Sequence, residues 1–427
     1  MPPVKQLVIL PSSWMRGIPV EVLSDKYTIS YAPSGTIFAW LREKEARPKS
    51  GVLQLLALGD PTFSEPAKSD SETPAPDHGV LIAYAQPGSN AAKAGIRRGD
   101  VLLAYGGKKL EAANDLTTSI ASVSPSDEKR QIELVVWRAG ERVTMRVPPG
   151  KLGVRLDDQP APQALLAQRA ADELIRGATD KYYPRLPGTR VEVAAIASLF
   201  PKAKNLLGEA ATQRALDELA ESGELKQFRY LHLATHGDLN TERAMLSALI
   251  LADQHSPDQL DALISGKHYY DGRLTAEQMI RWKLDADLVT LSACQTALGR
   301  HAGGEGYLGF SQALLLAGAR SLVLSLWKVD DTATALLIVR FYQNLLGKRD
   351  GLKAPMPKAQ ALAEAKSWLR KLTADEVTKL VQQHKLSLAQ RGVISKTTGP
   401  ERDTVPSARP YEHPYYWSAF ILIGDPE

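Results

Sequence analysis

Leu288-Val289-Thr290-Leu291-Ser292-Ala293-Cys294 is an apolar run that ends on the sole cysteine of a 427-residue chain. A second run of the same shape lies upstream, Tyr230-Leu231-His232-Leu233-Ala234-Thr235, and it leads into His236 and Gly237. Short apolar runs bounded by small residues read as strands buried on both faces, the kind found in parallel sheets. Such sheets present reactive side chains at the C-terminal ends of their strands. A thiol and an imidazole delivered by two such strands set the first expectation: an α/β fold with a nucleophile and a proton carrier at one sheet edge.

Working outward, Leu7–Leu10, Tyr27–Tyr31 and Val52–Leu58 read as strands, with a helix from Ser34 to Arg47. Beyond Pro162 helices alternate with strands. Helices are expected over Leu165–Arg176, Thr189–Leu199, Thr212–Glu221, Leu274–Trp282, Tyr307–Leu316, Asp331–Leu346 and, as a pair, Ala354–Gln390. Strands are expected at Lys204–Leu207, Phe228–Thr235, Ser247–Leu251, Leu288–Cys294, Arg320–Trp327 and Trp417–Ile423. This alternation predicts a mainly parallel sheet with helices on both faces. Asp60–His78 has linker composition, rich in Pro, Ser, Asp and Glu, and a weaker break falls at Asp157–Pro162. Between the breaks, Gly79–Leu156 is glycine-marked and β-rich, with a hairpin expected from Ile132–Trp137 and Arg142–Val147. The expected domains are 1–63, a linker at 64–78, a small β-rich domain at 79–156, and 157–427.

The net charge of +4, from 52 basic and 48 acidic residues, gives no footprint for nucleic acid. One cysteine excludes an intrachain disulfide framework and fits a reducing, cytoplasmic setting. Scattered histidines beside one cysteine provide no zinc spacing, so neither metal nor cofactor is expected. No apolar run reaches the length of a membrane span, and the N-terminus has no secretory pattern. Strand character from Lys5 onward raises the expectation that the chain is the end of a longer protein.

A free thiol with pKa near 8.5 is only about 3% thiolate at neutral pH, so it needs a base. His236 fits that role, and as imidazolium it would protonate a leaving group. Gly237 and Cys294 would supply two backbone N–H groups to an oxyanion, Gly237 because it lacks a Cβ. Taken singly, a buried Cys or His reads as packing; together at matching strand ends they read as catalysis. His232, four residues before His236 on the expected strand, reads as a structural neighbour. Gly303-Gly304-Glu305-Gly306 lacks the Lys-Ser/Thr of a phosphate loop. It reads as an active-site loop in which Glu305 faces substrate or caps the next helix.

The runs YLHLATHG (230–237), VTLSACQTALG (289–299), GEGYLGFSQALLLAGARSLVLSLWKVDD (304–331) and HPYYWSAFILIGD (413–425) resemble the CHAT family, a branch of the caspase-like cysteine peptidases. LLALGDPTF (55–63) and LPGTRVEVAAIASLFP (186–201) resemble earlier parts of the same domain. The resemblance implies a caspase–haemoglobinase fold, His236 as general acid/base and Cys294 as nucleophile. Ser-Ala-Cys-Gln-Thr replaces the caspase Gln-Ala-Cys-Arg-Gly pattern, so a preference for acidic P1 residues does not carry over. The loop Trp327-Lys328-Val329-Asp330-Asp331 would help line the P1 pocket, and its carboxylates suit Arg or Lys. The competing role for Asp330 is to cap the following helix. The short path from Cys294 to Arg320 leaves little room for a cleavable interchain loop, so activation by a protein partner is expected instead.

Gly79–Leu156 resembles a PDZ domain of bacterial type through GVLIAYAQPGSNAAKAGIRRGDVLLAYGGKKL (79–110). The resemblance implies capture of a peptide C-terminus by strand addition. The stretch that looks like a carboxylate loop, KLGVRL (151–156), comes last, which implies circular permutation, with Leu152, Gly153 and Val154 as the carboxylate-binding residues. A PDZ-shaped spacer that binds nothing is the alternative. The combined expectation is a cysteine endopeptidase acting on protein or peptide substrates, with an inserted module for a peptide ligand or activating protein. A catalytically silent scaffold and a non-hydrolytic acyl transferase are its rivals.

Overall fold

The computed structural model describes residues 4–11, 15, 17–43, 54–63, 74–86, 88–123, 131–138, 140–176, 183–240, 242–252, 269–293, 308–327, 330–383 and 408–427. They fall into two compact units: those within 1–63, 183–255 and 270–427 make one, and those within 64–182, together with Tyr269, make the other.

In the first unit an eight-stranded sheet runs, edge to edge, Gln6–Ile9, Thr28–Tyr31, Phe420–Gly424, Ser321–Ser325, Leu288–Leu291, Tyr230–Ala234, Gln54–Pro61, Lys202–Gly208. Neighbours are parallel throughout except at Ser321–Ser325 against Phe420–Gly424, which is antiparallel. Alternate side chains feed two cores. Leu56, Leu58, Leu231, Leu233, Val289 and Leu291 join Leu41, Leu216 and Leu314 on one face. Leu55, Ala57, Tyr230, Leu288 and Val323 join Val193, Ile196, Leu337 and Leu362 on the other. Helices Gly35–Glu43, Gln213–Glu221 and Ala313–Ala317 therefore cover one face, and Pro187–Ala197, Asp331–Leu345 and Lys358–Leu369 cover the other. The mixed α/β architecture with a mainly parallel sheet is as the sequence predicts.

Several elements differ from expectation. The strand at Ser247–Leu251 is real, as Ala248–Ile250, but belongs to a separate antiparallel sheet with His236–Asp238 and Arg273–Thr275. The helix expected over Leu274–Trp282 shrinks to Ala276–Met279 because Arg273–Thr275 pairs first. Thr275 then turns the chain: its hydroxyl accepts from Gln278 N at 3.2 Å while Gln278 Oε1 accepts from Thr275 N at 2.8 Å, a reciprocal cap. The helix expected over Tyr307–Leu316 is a π turn, Leu308–Gln312, followed by Ala313–Ala317 and closed by Gly318 at φ 119°. Among the described residues no helix is long and apolar enough to cross a membrane.

At the end of strand Gln54–Pro61, Asp60 is buried at φ 45°, and its Oδ2 accepts from Arg185 and Arg190, each at 2.8 Å. These contacts tie the chain leaving toward the insertion to the chain returning from it.

The inserted unit contains an antiparallel sheet ordered Glu141–Val147, Ile132–Arg138, Val101–Tyr105, Val80–Ala85, Val154–Leu156, with Lys108–Lys109 paired to Val101–Tyr105. The expected hairpin is present in full register from Ile132↔Val147 to Arg138↔Glu141. The unit extends past the boundary expected at 156, because helix Ala161–Arg176 packs Ala161, Ala164 and Leu165 against Leu81, Val101, Leu103 and Trp137. Asp100 anchors this unit: it is 1% exposed and accepts from Arg97 N at 2.9 Å and from Arg138 Nε and Nη2 at 2.7 Å each. Hydrogen bonding to Asp100 raises the pKa of Arg138, against the opposing effect of burial. Asp100→Ala breaks this pair and should cost about 3 kcal/mol. Amide exchange across Val101–Tyr105 and Ile132–Arg138, followed by mass spectrometry, should then accelerate roughly a hundredfold.

Candidate active site

Three neighbouring strands of the central sheet end together. Leu233 is in register with Leu291, and Ser292 N donates to Leu233 O at 2.9 Å. The hydroxyl of Ser325 donates to Ala293 O at 2.6 Å, tying in the third strand. His236 follows Leu233 by three residues, as Cys294 follows Leu291 by three. Cys294 itself, Glu305 and the Gly303–Gly306 loop lie outside the described residues.

At Thr235 the chain leaves the central sheet. The Thr235 hydroxyl donates to Ile250 O, and His236 then pairs with Ile250 in the small antiparallel sheet, with Gly237 opposite Leu249. His232 and His236 therefore do not share a strand, contrary to the sequence reading; the periodicity runs on unbroken while the chain changes sheets. The His236 ring meets Phe63 (centroids 5.5 Å apart) and Tyr183 (5.3 Å), which also meet each other at 6.1 Å. Its Nε2 lies 2.7 Å from Pro184 O. A carbonyl only accepts, so in the neutral imidazole the proton sits on Nε2 and the basic lone pair on Nδ1. That tautomer can take a proton at Nδ1 while the other nitrogen stays anchored. Two residues on, Asp238 accepts from Arg273 Nη2 at 2.7 Å. Burial works against the charge of Arg273, but the Asp238 bond and attraction prevail and raise its pKa.

His232 is wholly buried beneath this edge. Its Nε2 is 2.9 Å from Glu192 Oε1, and its ring meets Tyr342 edge-on at 5.8 Å. Tyr342 shares a 2.9 Å hydrogen bond with Thr290 Oγ1, and burial pushes its phenol pKa up.

A cleft of about 450 Å³, its open mouth included, lies at the strand ends. Thr235, Ser292, Ala293 and Ser325 line it from the sheet; Leu186, Gly188, Thr189 and Glu192 line it from one helix, Asp331 and Thr334 from another, and Trp327 and Phe420 form aromatic walls. Trp327 is fixed by a 2.9 Å bond from Nε1 to Tyr415 O and by stacking on Tyr415. The two expected acids part company here. Asp330 Oδ1 accepts from Ala333 N at 2.9 Å and caps helix Asp331–Leu345, whereas Asp331 lines the cleft. Glu192, Phe63 and Tyr183 went unnoticed in the sequence. Only Glu192 carried a signal, as an acid amid the buried positions of Val193 and Ile196.

In the inserted unit, Leu152 O accepts from Ala91 N at 3.0 Å and Gly153 O from Gln86 N at 2.8 Å. Gly153 has φ 75°, and Val154 opens the edge strand Val154–Leu156. Among the described residues no cluster of His, Cys, Asp and Glu is arranged to hold a metal ion.

A family model described as the CHAT domain matches residues 1–425. The chain belongs to the CHAT family. Tetratricopeptide repeat protein 28 of Mus musculus is 27% identical over 151 residues, which is 35% of this CHAT chain and 4% of that protein. A probable periplasmic serine endoprotease DegP-like of Rhizobium meliloti (strain 1021) is 29% identical over 123 residues, 28% of this chain and 24% of that one. The CHAT chain thus spans a small part of either relative. The crystal structure of the Arg-specific cysteine proteinase gingipain R aligns over 99% of this chain and 77% of its own, at 9% identity and a TM-score of 0.32. With a score that low, the CHAT architecture rests on its own strand order.

Proposed function

We propose that the protein is a caspase-like cysteine endopeptidase. Cys294 attacks a peptide carbonyl, His236 takes the thiol proton and returns it to the leaving amine, and a thioester forms. Water, deprotonated by His236, then releases the acid and restores the thiol. The N–H groups of Gly237 and Cys294 would hold the oxyanion. The observation that carries this reading is the register Leu233↔Leu291. It sets two adjacent parallel strands to end side by side, the histidine following one and the cysteine the other. Asp331 in the cleft supports a basic P1 residue. The inserted unit is read as a permuted PDZ-like peptide-binding module, because Val154–Leu156 is an edge strand preceded by Leu152 and Gly153.

The test is to incubate wild type and Cys294→Ala with a peptide library rich in Arg and Lys, and to treat both with a thiol-alkylating probe. Cleavage by wild type alone, with labelling of Cys294, upholds the reading. Neither cleavage nor labelling, with a peptide ligand for the inserted unit present, means a silent scaffold. Asp331→Ala should alter the P1 profile. Asp330→Ala should leave it unchanged and cost about 1 kcal/mol through the lost cap, read from the urea midpoint.

A further inference from the structure

Helix Pro187–Ala197 buries a carboxylate. Glu192 is 2% exposed, beside Val193 and Ile196 in a helix that otherwise turns apolar side chains inward. A buried charge is costly unless ion-paired and hydrogen-bonded. Among the described residues the group that faces the Glu192 carboxyl is the His232 ring, and that pairing is incomplete. Oε1 and Nε2 stand 2.9 Å apart, yet neither atom makes an aligned hydrogen bond. Glu192 also lines the cleft at the strand ends.

The remaining lining indicates what the cleft would take. Leu186, Ala293, Trp327 and Phe420 provide apolar walls, and Asp331 sits exposed at the start of its helix, nearer the mouth. Among the described lining residues there is neither Lys nor Arg. A ligand group with a long apolar stem and a cationic head meets the walls first and carboxylates at two depths. A guanidinium fits better than an ammonium, because its planar fork can bond one carboxylate while its stem lies along the aromatic walls.

We propose that Glu192 is the deep specificity-determining residue of this cleft, taking the guanidinium of an arginine side chain, with His232 holding the carboxylate in place while the cleft is empty. The proposal rests on the peptidase reading for the statement that this arginine is the residue before the scissile bond. Recognition by Glu192 can be measured without turnover.

The full chain carrying Cys294→Ala is titrated by calorimetry with acetylated peptide amides that differ at one position, Arg or its uncharged isostere citrulline. Arg should bind at least tenfold tighter, and adding Glu192→Gln should shrink that ratio by about tenfold, the worth of a charge-assisted bond to a buried partner. Glu192→Asp keeps the charge but withdraws the carboxylate by one methylene. It should shift preference from arginine toward homoarginine, which supplies the missing length, and it carries the test if Glu192→Gln does not fold. No preference for Arg over citrulline in the parent, an Arg-to-citrulline ratio within twofold of the parent in folded Glu192→Gln, or an unshifted length preference in Glu192→Asp would each overturn the proposal and leave the Glu192–His232 pair as structural only. Failure of the peptidase reading shows separately, as absent cleavage and absent Cys294 labelling in wild type.

Discussion

His236→Ala should lower kcat/KM for peptide cleavage by about 10²–10⁴-fold, the range typical of a lost general acid/base. The substitution removes the Nδ1 lone pair that would ionise the thiol and the imidazolium that would protonate the leaving amine. It should hardly disturb the fold, since the position pairs with Ile250 through its backbone and the side chain sits at the sheet edge, against Phe63, Tyr183 and Pro184 O. Thermal unfolding checks that point. The diagnostic readout is pH. Without the imidazole, alkylation of Cys294 should be slow at neutral pH and climb toward the wild-type rate as the thiol ionises by itself near pH 8.5. A variant that cleaves within tenfold of wild type, with an unchanged alkylation profile, rules out His236 as the base.

Gly318→Ala should destabilise the chain by about 4 kcal/mol or more, the range reserved for a few severe mechanisms. Two of them coincide here. Gly318 closes helix Ala313–Ala317 at φ 119° and ψ 6°, a conformation that costs a residue with a Cβ about 1–3 kcal/mol. An added Cβ would also stand 2.2 Å from Leu284 O and 3.0 Å from Leu284 C. That carbonyl belongs to a backbone segment pinned by Leu284 N donating to Ala317 O at 2.7 Å, so it has little room to retreat. Gly223→Ala is the matched control. It too has positive φ, 74°, but nothing lies within 4 Å of its Cβ position, so the cost should be about 1 kcal/mol. Urea midpoints of the two variants side by side separate conformational strain from collision. Equal losses would show that the collision at Leu284 relaxes away.

Much of the architecture was legible because its local and global signals agree. Tyr230–Ala234 and Leu288–Leu291, within the two runs, are strands, adjacent and parallel, because apolar side chains on both faces leave them no solvent-facing alternative. Thr212 was readable at the start of its helix and does cap it, accepting from Ala215 N. What escaped depends on contacts distant in sequence. The passage from one sheet to another at Thr235 leaves the pattern LHLATHG unbroken, so His232 and His236 read as one strand. Asp330 and Asp331 are adjacent, and only the placement of the helix start separates a cap from a cleft wall. Helix Ala161–Arg176 reads the same whichever unit it joins; Leu81, Val101 and Trp137 decide the matter. Glu192 escaped the sequence reading although it sits on an apolar helix stripe, and its bearing on the cleft needs the three-dimensional arrangement of two helices around the strand ends.

Phe63 and Tyr183 are the residues at which the chain departs for the inserted unit and comes back. A tract spliced into a surface turn can ordinarily be lengthened, trimmed or exchanged while the host's chemistry carries on. Here the splice points furnish the seat of the imidazole: one ring from each splice point, the carbonyl of Pro184 against Nε2, and Asp60 bracing both arms through Arg185 and Arg190. A different cargo grafted between these joints would have to leave and return with the same two rings and the same carbonyl, or the histidine would lose its mooring. The joints, unlike the cargo between them, belong to the histidine's seat.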